Sequence, residues 1–150
     1  MPFLRPQSEG KEGSVPGSVD YRLARRQLLR RVRSGEVREA DVCDAQSELL
    51  RVGVNCGRRA TAPCPVCGES ALRLVQFAFA PRLPAGGRVV GGRAELQRLA
   101  QRYGRSADAR TYTVEVCIEC RWNHLLEVMP LAESVRSGSP GIGSTRSARS

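Results

Sequence analysis

The sequence predicts an α+β fold: an N-terminal helical hairpin followed by a small antiparallel sheet with an inserted helix, between two disordered tails. Three observations predict it. Apolar residues recur at helical spacing between Val19 and Gly57. Alternating apolar runs, bounded by Pro, Gly and Asn, begin at Ala71, Thr111 and His124. Two C-x-x-C pairs, Cys64/Cys67 and Cys117/Cys120, fall where that strand pattern requires turns.

The order of elements starts with the ends. Residues 1–18 and 132–150 are rich in Gly, Ser and Pro and lack an aliphatic run able to bury surface, so both read as disordered. Residues 19–58 form the helical hairpin and 59–131 the sheet domain, with its inserted helix over 94–103. A core of that size is small and benefits from a metal staple.

Ser18 and Asp20 offer N-cap oxygens to a first helix, DYRLARRQLLRRVRSG, and Gly35 supplies its stop. Tyr21, Leu28, Leu29 and Val32 form its apolar side, and arginines fill the rest of its circumference. The plain reading of the arginines is a solvated face; the sharper one is a phosphate- or partner-binding face carried by Arg22, Arg25, Arg26, Arg30 and Arg33. A second helical segment, EVREADVCDAQSELLRVGVNCG, places Val42, Cys43, Leu49, Leu50 and Val52 on one side. Beyond it, ALRLVQFAFAPRL reads as a strand, PAGGRVVGG as a Gly-rich excursion and RAELQRLAQRYG as the inserted helix. TYTVEVCIEC and HLLEVMPL are two further strands around a turn at Arg121–Trp122–Asn123.

The cysteine pairs carry the chemistry. Two cysteines three residues apart in a tight turn can both reach one ion, and zinc takes four such thiolates in a tetrahedron. Pro65 and Gly68 suit the first turn, one restricting φ and the other permitting a left-handed exit. The 49 residues between the pairs exceed the 15–20 of a compact zinc ribbon, and the Gly-rich excursion and inserted helix account for the surplus. The expectation is one structural Zn2+ per chain on Cys64, Cys67, Cys117 and Cys120, in a zinc-ribbon-like domain. Iron is the rival occupant of a tetrahedral sulfur site. Four thiolates leave no open position for a reacting water, so such a centre supports a fold and not hydrolysis.

Around the second pair, Trp122 reads as a cover over the centre, or else as an exposed anchor. Asn123 closes the turn or joins a contact patch. His124, the only histidine, is a polar strand residue, a hydrogen-bond donor behind the ligands or itself a ligand. Cys43 reads as a small buried hydrophobe and Cys56 as an exposed or half-buried turn residue.

The formal charge of +9 invites a nucleic-acid reading. Of the 24 basic residues, 23 are arginine, and the excess is spread as +4 over residues 1–60, +3 over 61–131 and +2 over the tail. That pattern fits GC-rich codon usage as well as it fits a dedicated acidic partner. No run approaches the roughly 18 apolar residues of a bilayer span, and MPFLRPQ is not followed by a signal-peptide core. The expected location is the cytoplasm, without membrane association, where six cysteines argue for metal before disulfides.

Taken together, VDYRLARRQLLRRVRSG, DVCDAQSELLRVG, PCPVCG, AELQRLAQRYG and YTVEVCIECRWNHLL resemble a family of small actinobacterial zinc-ribbon proteins classed as a domain of unknown function. The resemblance covers residues 19–131. The matching positions are Cys64, Cys67, Cys117, Cys120, Trp122, Asn123 and His124, with Cys43 and Asp44 in the helical part. It implies a cytoplasmic protein of a high-GC bacterium and brings no activity with it. With no paired carboxylates in a recognisable motif, no phosphate loop and no nucleophile–base set, the expectation is a non-enzymatic zinc-binding adaptor or regulatory protein. Its partner would be a protein or protein–nucleic-acid complex, with no small-molecule substrate. Direct nucleic-acid binding through the arginine helix is the alternative, and a thiol redox or metal-dependent enzyme the third reading.

Overall fold

A computed structural model describes residues 17–84 and 86–137. The described residues form five helices and one six-stranded antiparallel sheet. In chain order they are β1 (Val19–Asp20), α1 (Arg22–Arg33), α2 (Glu39–Val42), α3 (Ser47–Cys56), β2 (Arg58–Arg59), β3 (Leu72–Phe79), β4 (Arg88–Val89), α4 (Arg93–Tyr103), β5 (Arg110–Cys117), β6 (Asn123–Pro130) and α5 (Leu131–Ser137). The sheet runs β1-β6-β5-β3-β2, with β4 also paired to β3. The three eight-residue strands are the alternating runs of the sequence, and the inserted helix lies where its periodicity puts it.

The central strands are buried on both faces. Successive residues of a strand point to opposite sides. On one side Val75 and Phe77 of β3 and Val114 and Val116 of β5 pack with Ala45, just before α3, and Leu49 in its first turn. On the other, Leu72 joins Leu29 of α1, Val42 of α2, Trp122 and two cysteines, while Ala78 joins Leu96 and Leu99 of α4, Ala109 and Leu131. Gly53 lets α3 lie close on β5: a Cβ there would stand 3.0 Å from Val116 Cγ1 and 3.2 Å from Ile118 Cδ1.

Three features differ from the sequence expectation. The helical hairpin is replaced by three helices, because the second helical segment breaks between Cys43 and Gln46. The break is stabilised from a distance: Ala45 N–H donates to Arg121 O at 3.0 Å, and the Arg121 guanidinium donates to Ala45 O at 2.9 Å. The helices lie against the sheet, each covering its own stretch of strand. Second, the C-terminal tail expected from 132 begins as a helix, α5. Leu131 and Ser134 are buried, Val135 packs beside them, and Ser134 Oγ donates to Leu131 O at 2.7 Å. Third, β1 adds a short edge strand to β6, pairing Val19 with Val128 and Asp20 with Glu127. The remainder of the expected tails, 1–16 and 138–150, lies outside the described residues.

The ends of α1 follow local rules. Arg22 N–H donates to Asp20 Oδ1 at 2.9 Å, so Asp20 serves the helix start as expected, one position ahead of the cap residue Tyr21. At the other end Gly35, with φ 86°, donates to Val32 O, and Glu36 N–H reaches back to Arg31 O. That is a Schellman closure, which needs the left-handed residue glycine provides.

Candidate metal centre

Each C-x-x-C pair is folded into the same knuckle. In the first, Gly68 N–H donates to Cys64 O at 3.0 Å and Cys64 N–H to Glu69 O at 3.0 Å. In the second, Arg121 N–H donates to Cys117 O at 3.0 Å and Cys117 N–H to Trp122 O at 2.8 Å. Both exits are left-handed, at Gly68 with φ 81° and at Arg121 with φ 76°. For glycine this conformation is free; for arginine it is strained and persists because the guanidinium is anchored on Ala45 O. The first knuckle sits between β2 and β3 and the second between β5 and β6. Ile118 N–H, donating to Ala71 O at 3.0 Å, joins them.

The four sulfurs therefore converge. All Sγ atoms of Cys64, Cys67, Cys117 and Cys120 lie within 4.8 Å of one another, with Cys64–Cys120 and Cys67–Cys117 both at 3.7 Å. A tetrahedron with metal–sulfur bonds of about 2.3 Å has sulfur–sulfur edges of about 3.8 Å. The donor set thus fits a tetrahedral metal in both identity and spacing, and the cysteines are free thiols, far outside disulfide length. Val66 N–H points at Cys64 Sγ (3.3 Å) and Cys120 N–H at Cys117 Sγ (3.5 Å), as suits thiolate ligands. Burial pushes the Cys64 and Cys120 thiols up. Burial also opposes ionisation of Cys117, but the backbone N–H groups of Cys120 and Glu119 and the neighbouring thiols outweigh it and hold Cys117 below the usual thiol range. Four adjacent thiolates need a cation to coexist.

A polar layer lies behind the second knuckle. Trp122 is fully buried among Cys64, Cys117, Leu29, Val42 and Leu72, so it covers the centre and is no exposed anchor. Its indole N–H donates to Glu115 Oε2 at 2.8 Å, and Arg25 Nε donates to the same oxygen at 2.5 Å. His124 stacks on Trp122 with centroids 5.7 Å apart and donates from Nδ1 to Leu125 O at 2.7 Å. Its imidazole lies outside the sulfur cluster, and burial lowers its pKa below the usual histidine value. Asn123 Nδ2 donates to Asp44 Oδ1 at 3.0 Å and to Arg121 O at 3.3 Å, so it closes the turn and ties it to the α2–α3 break.

The arginines expected on one face divide. Arg25 turns inward to Glu115, and Arg22 reaches Asp20 and Glu127 at 3.3 and 3.4 Å. Both are part of the fold, because the sheet presents carboxylates where α1 crosses it. Arg26, Arg30 and Arg33 are exposed, and among the described residues none makes an ion pair. Cys56 is exposed at the end of α3. Cys43, expected to be a buried hydrophobe, is half-buried, with Sγ donating to Cys120 Sγ at 3.7 Å. The sequence reading missed Cys43 and Glu115 as neighbours of the centre, and no local spacing signals either.

On the α3 side of the sheet an open cleft of about 420 Å³ is lined in part by Asp44, Glu48, Leu49, Val52, Phe77 and Asn123, with no cysteine or histidine in its wall. Among the described residues no helix is long and apolar enough to cross a membrane.

Two comparisons place the chain among known sequences. It is 38% identical over 132 residues to the uncharacterized protein Rv0049 of Mycobacterium tuberculosis and to the uncharacterized protein Mb0050 of Mycobacterium bovis. These alignments span 87% of this chain and 94% of each relative. No solved structure matches it. Residues 15–140 match the family of unknown function DUF5318, and the chain belongs to that family.

Proposed function

We propose that this chain is a zinc-stabilised, non-enzymatic adaptor that docks on an acidic surface of a protein or protein–nucleic-acid complex. The observation that carries the reading is the closed set of four cysteine sulfurs with 3.7 Å edges. Bound there, one zinc ion supplies a cross-link between the two knuckles and no open coordination position. In this reading the domain is zinc-ribbon-like, and the ion holds together the end of the sheet that α1 and α2 cover. The contact face is the outer side of α1, where the exposed Arg26, Arg30 and Arg33 follow the exposed Leu23 along one side of the helix. Arginine beside an exposed aliphatic suits a mixed polar and apolar contact better than a purely ionic one.

Elemental analysis of the purified chain tests the metal half. One zinc per chain, lost with the fold in Cys64→Ser and in Cys117→Ser, is the expected result. Iron, no metal, or metal retained in both variants defeats it.

Direct binding of nucleic acid is the second reading, favoured by the exposed Arg26, Arg30 and Arg33, which make no ion pair among the described residues. If all three met duplex phosphates, log K against log salt would slope at about −2.7. Fluorescence anisotropy with labelled duplex at low salt decides between the readings: a slope of that size, lost in the triple alanine variant, supports direct binding. No measurable affinity at low salt leaves the adaptor.

A further inference from the structure

We propose that Cys43 and Cys120 form a reversible disulfide when the protein meets a peroxide, opening the cysteine cluster. The metal release that accompanies this step, and the thiolate form of Cys120 that begins it, rest on the zinc reading above; the approach of the two sulfurs does not.

Cys43 is a fifth thiol at a site that four complete. Its Sγ stands 3.7 Å from Cys120 Sγ, the same separation as the pairs inside the cluster. The placement is held by three hydrogen bonds. Ala45 N–H to Arg121 O, the Arg121 guanidinium to Ala45 O and Asn123 Nδ2 to Asp44 Oδ1 fasten the segment that follows Cys43 onto the turn that follows Cys120. Accessibility selects the same pair. Cys64 and Cys117 are buried, whereas Cys43 and Cys120 are both half-buried, within reach of a small oxidant. Cys67 is exposed, but the sulfur within hydrogen-bonding distance of it, at 3.7 Å, is that of the buried Cys117. With the four ligands engaged, Cys43 is the one thiol beside the cluster left outside the ligand set, free to resolve an oxidised ligand.

The chemistry balances in two steps. The Cys120 thiolate attacks one peroxide oxygen, the O–O bond breaks, the second oxygen leaves and takes up a proton as water (an alcohol from an alkyl peroxide), and Cys120 becomes a sulfenic acid. The Cys43 sulfur then attacks that sulfur, the S–O bond breaks, and hydroxide leaves with the Cys43 proton as water. Two thiols are oxidised by two electrons and one peroxide is reduced. The sulfurs close from 3.7 Å to about 2.05 Å, the ordinary disulfide length. Cys120 is then no longer a thiolate, and three ligands remain at a site built for four. A dithiol reductant reverses the change by exchange.

The test treats the metal-loaded full chain with a few equivalents of hydrogen peroxide. Unreduced peptides are mapped by mass spectrometry while a chromogenic chelator follows metal release. The expected result is a Cys43–Cys120 cross-linked peptide that rises with metal release and disappears with dithiothreitol. Cys43→Ala, loaded with the same metal content, should release metal about tenfold more slowly, since the thiol left beside its sulfenic acid, Cys64 at 3.7 Å, is engaged as a ligand. Release from Cys43→Ala at the wild-type rate overturns the proposal. So does a map in which Cys120 pairs with another ligand and Cys43 stays reduced. A chain that carries no metal refutes the zinc reading alone, and the peptide map still decides the disulfide.

Discussion

Removing Arg25 should destabilise the fold by far more than a surface arginine does, because Glu115 depends on it. Glu115 is buried at 3% exposure on β5, and its Oε2 accepts from Arg25 Nε and from the Trp122 indole. In Arg25→Met the carboxylate keeps the indole and loses its only cation among the described residues. Breaking a buried pair from one side typically costs 3–5 kcal/mol. The Arg25 side chain is itself 23% exposed, so water can partly compensate, and about 3 kcal/mol is the expected cost. Glu115→Gln alone should cost about 2 kcal/mol, since its amide oxygen can still accept from both donors but the partly buried Arg25 guanidinium loses its counter-charge. In the double variant neither charge is stranded, and a coupling of about 2 kcal/mol should be recovered. Urea titrations followed by circular dichroism, with metal content held constant, measure all three. With a urea slope of about 2 kcal/mol per molar, Arg25→Met should lower the midpoint by about 1.5 M. A cost below about 0.5 kcal/mol, the range of ordinary surface changes, refutes the buried-pair reasoning. Strict additivity in the double variant refutes it equally.

Three further outcomes are expected. Gly53→Ala should lower the melting temperature despite alanine's better helix propensity, by about 1–2 kcal/mol of stability, because the added methyl meets Val116 at 3.0 Å and Ile118 at 3.2 Å; an increase would mean α3 moves away freely. His124, held neutral by burial, makes stability depend on pH below the free histidine value of 6.5. The unfolded chain protonates first there, so stability is complete above that value and falls as pH drops toward the lower folded pKa. This is the chain's only histidine, so a denaturation series from pH 7.5 to 5.5 should show that component in the wild type and not in His124→Gln; identical profiles would exclude it. Trp122→Ala should cost about 3–5 kcal/mol by opening a cavity over the cysteine cluster, and should weaken metal retention on a chelator titration; unchanged retention would detach the indole from the centre.

The parts legible in the sequence are those whose physics is local. A C-x-x-C turn is dictated by four or five consecutive residues, so Cys64/Cys67 and Cys117/Cys120 could be recognised as knuckles without any view of the fold. The strands Leu72–Phe79, Arg110–Cys117 and Asn123–Pro130 and the helix Arg93–Tyr103 declare themselves by period, and Gly35 ends α1 through bonds within its own last turn. Tertiary structure decided what depends on partners far along the chain. The helical segment around Cys43 breaks because Arg121 and Asn123, some 76 to 79 positions away, hold Ala45 and Asp44. Val135 and Ser134 are helical because α4 and β5 offer them a surface to cover, which Ser-rich composition cannot reveal. Arg25 reads as one more solvated arginine until β5 places Glu115 beneath it. Cys43 reads as a small hydrophobe until the same long-range contacts bring its sulfur to Cys120. Period and spacing encode the elements and the cysteine pairs; only the packed sheet determines which charges are buried and which thiol stands next to the four-cysteine cluster.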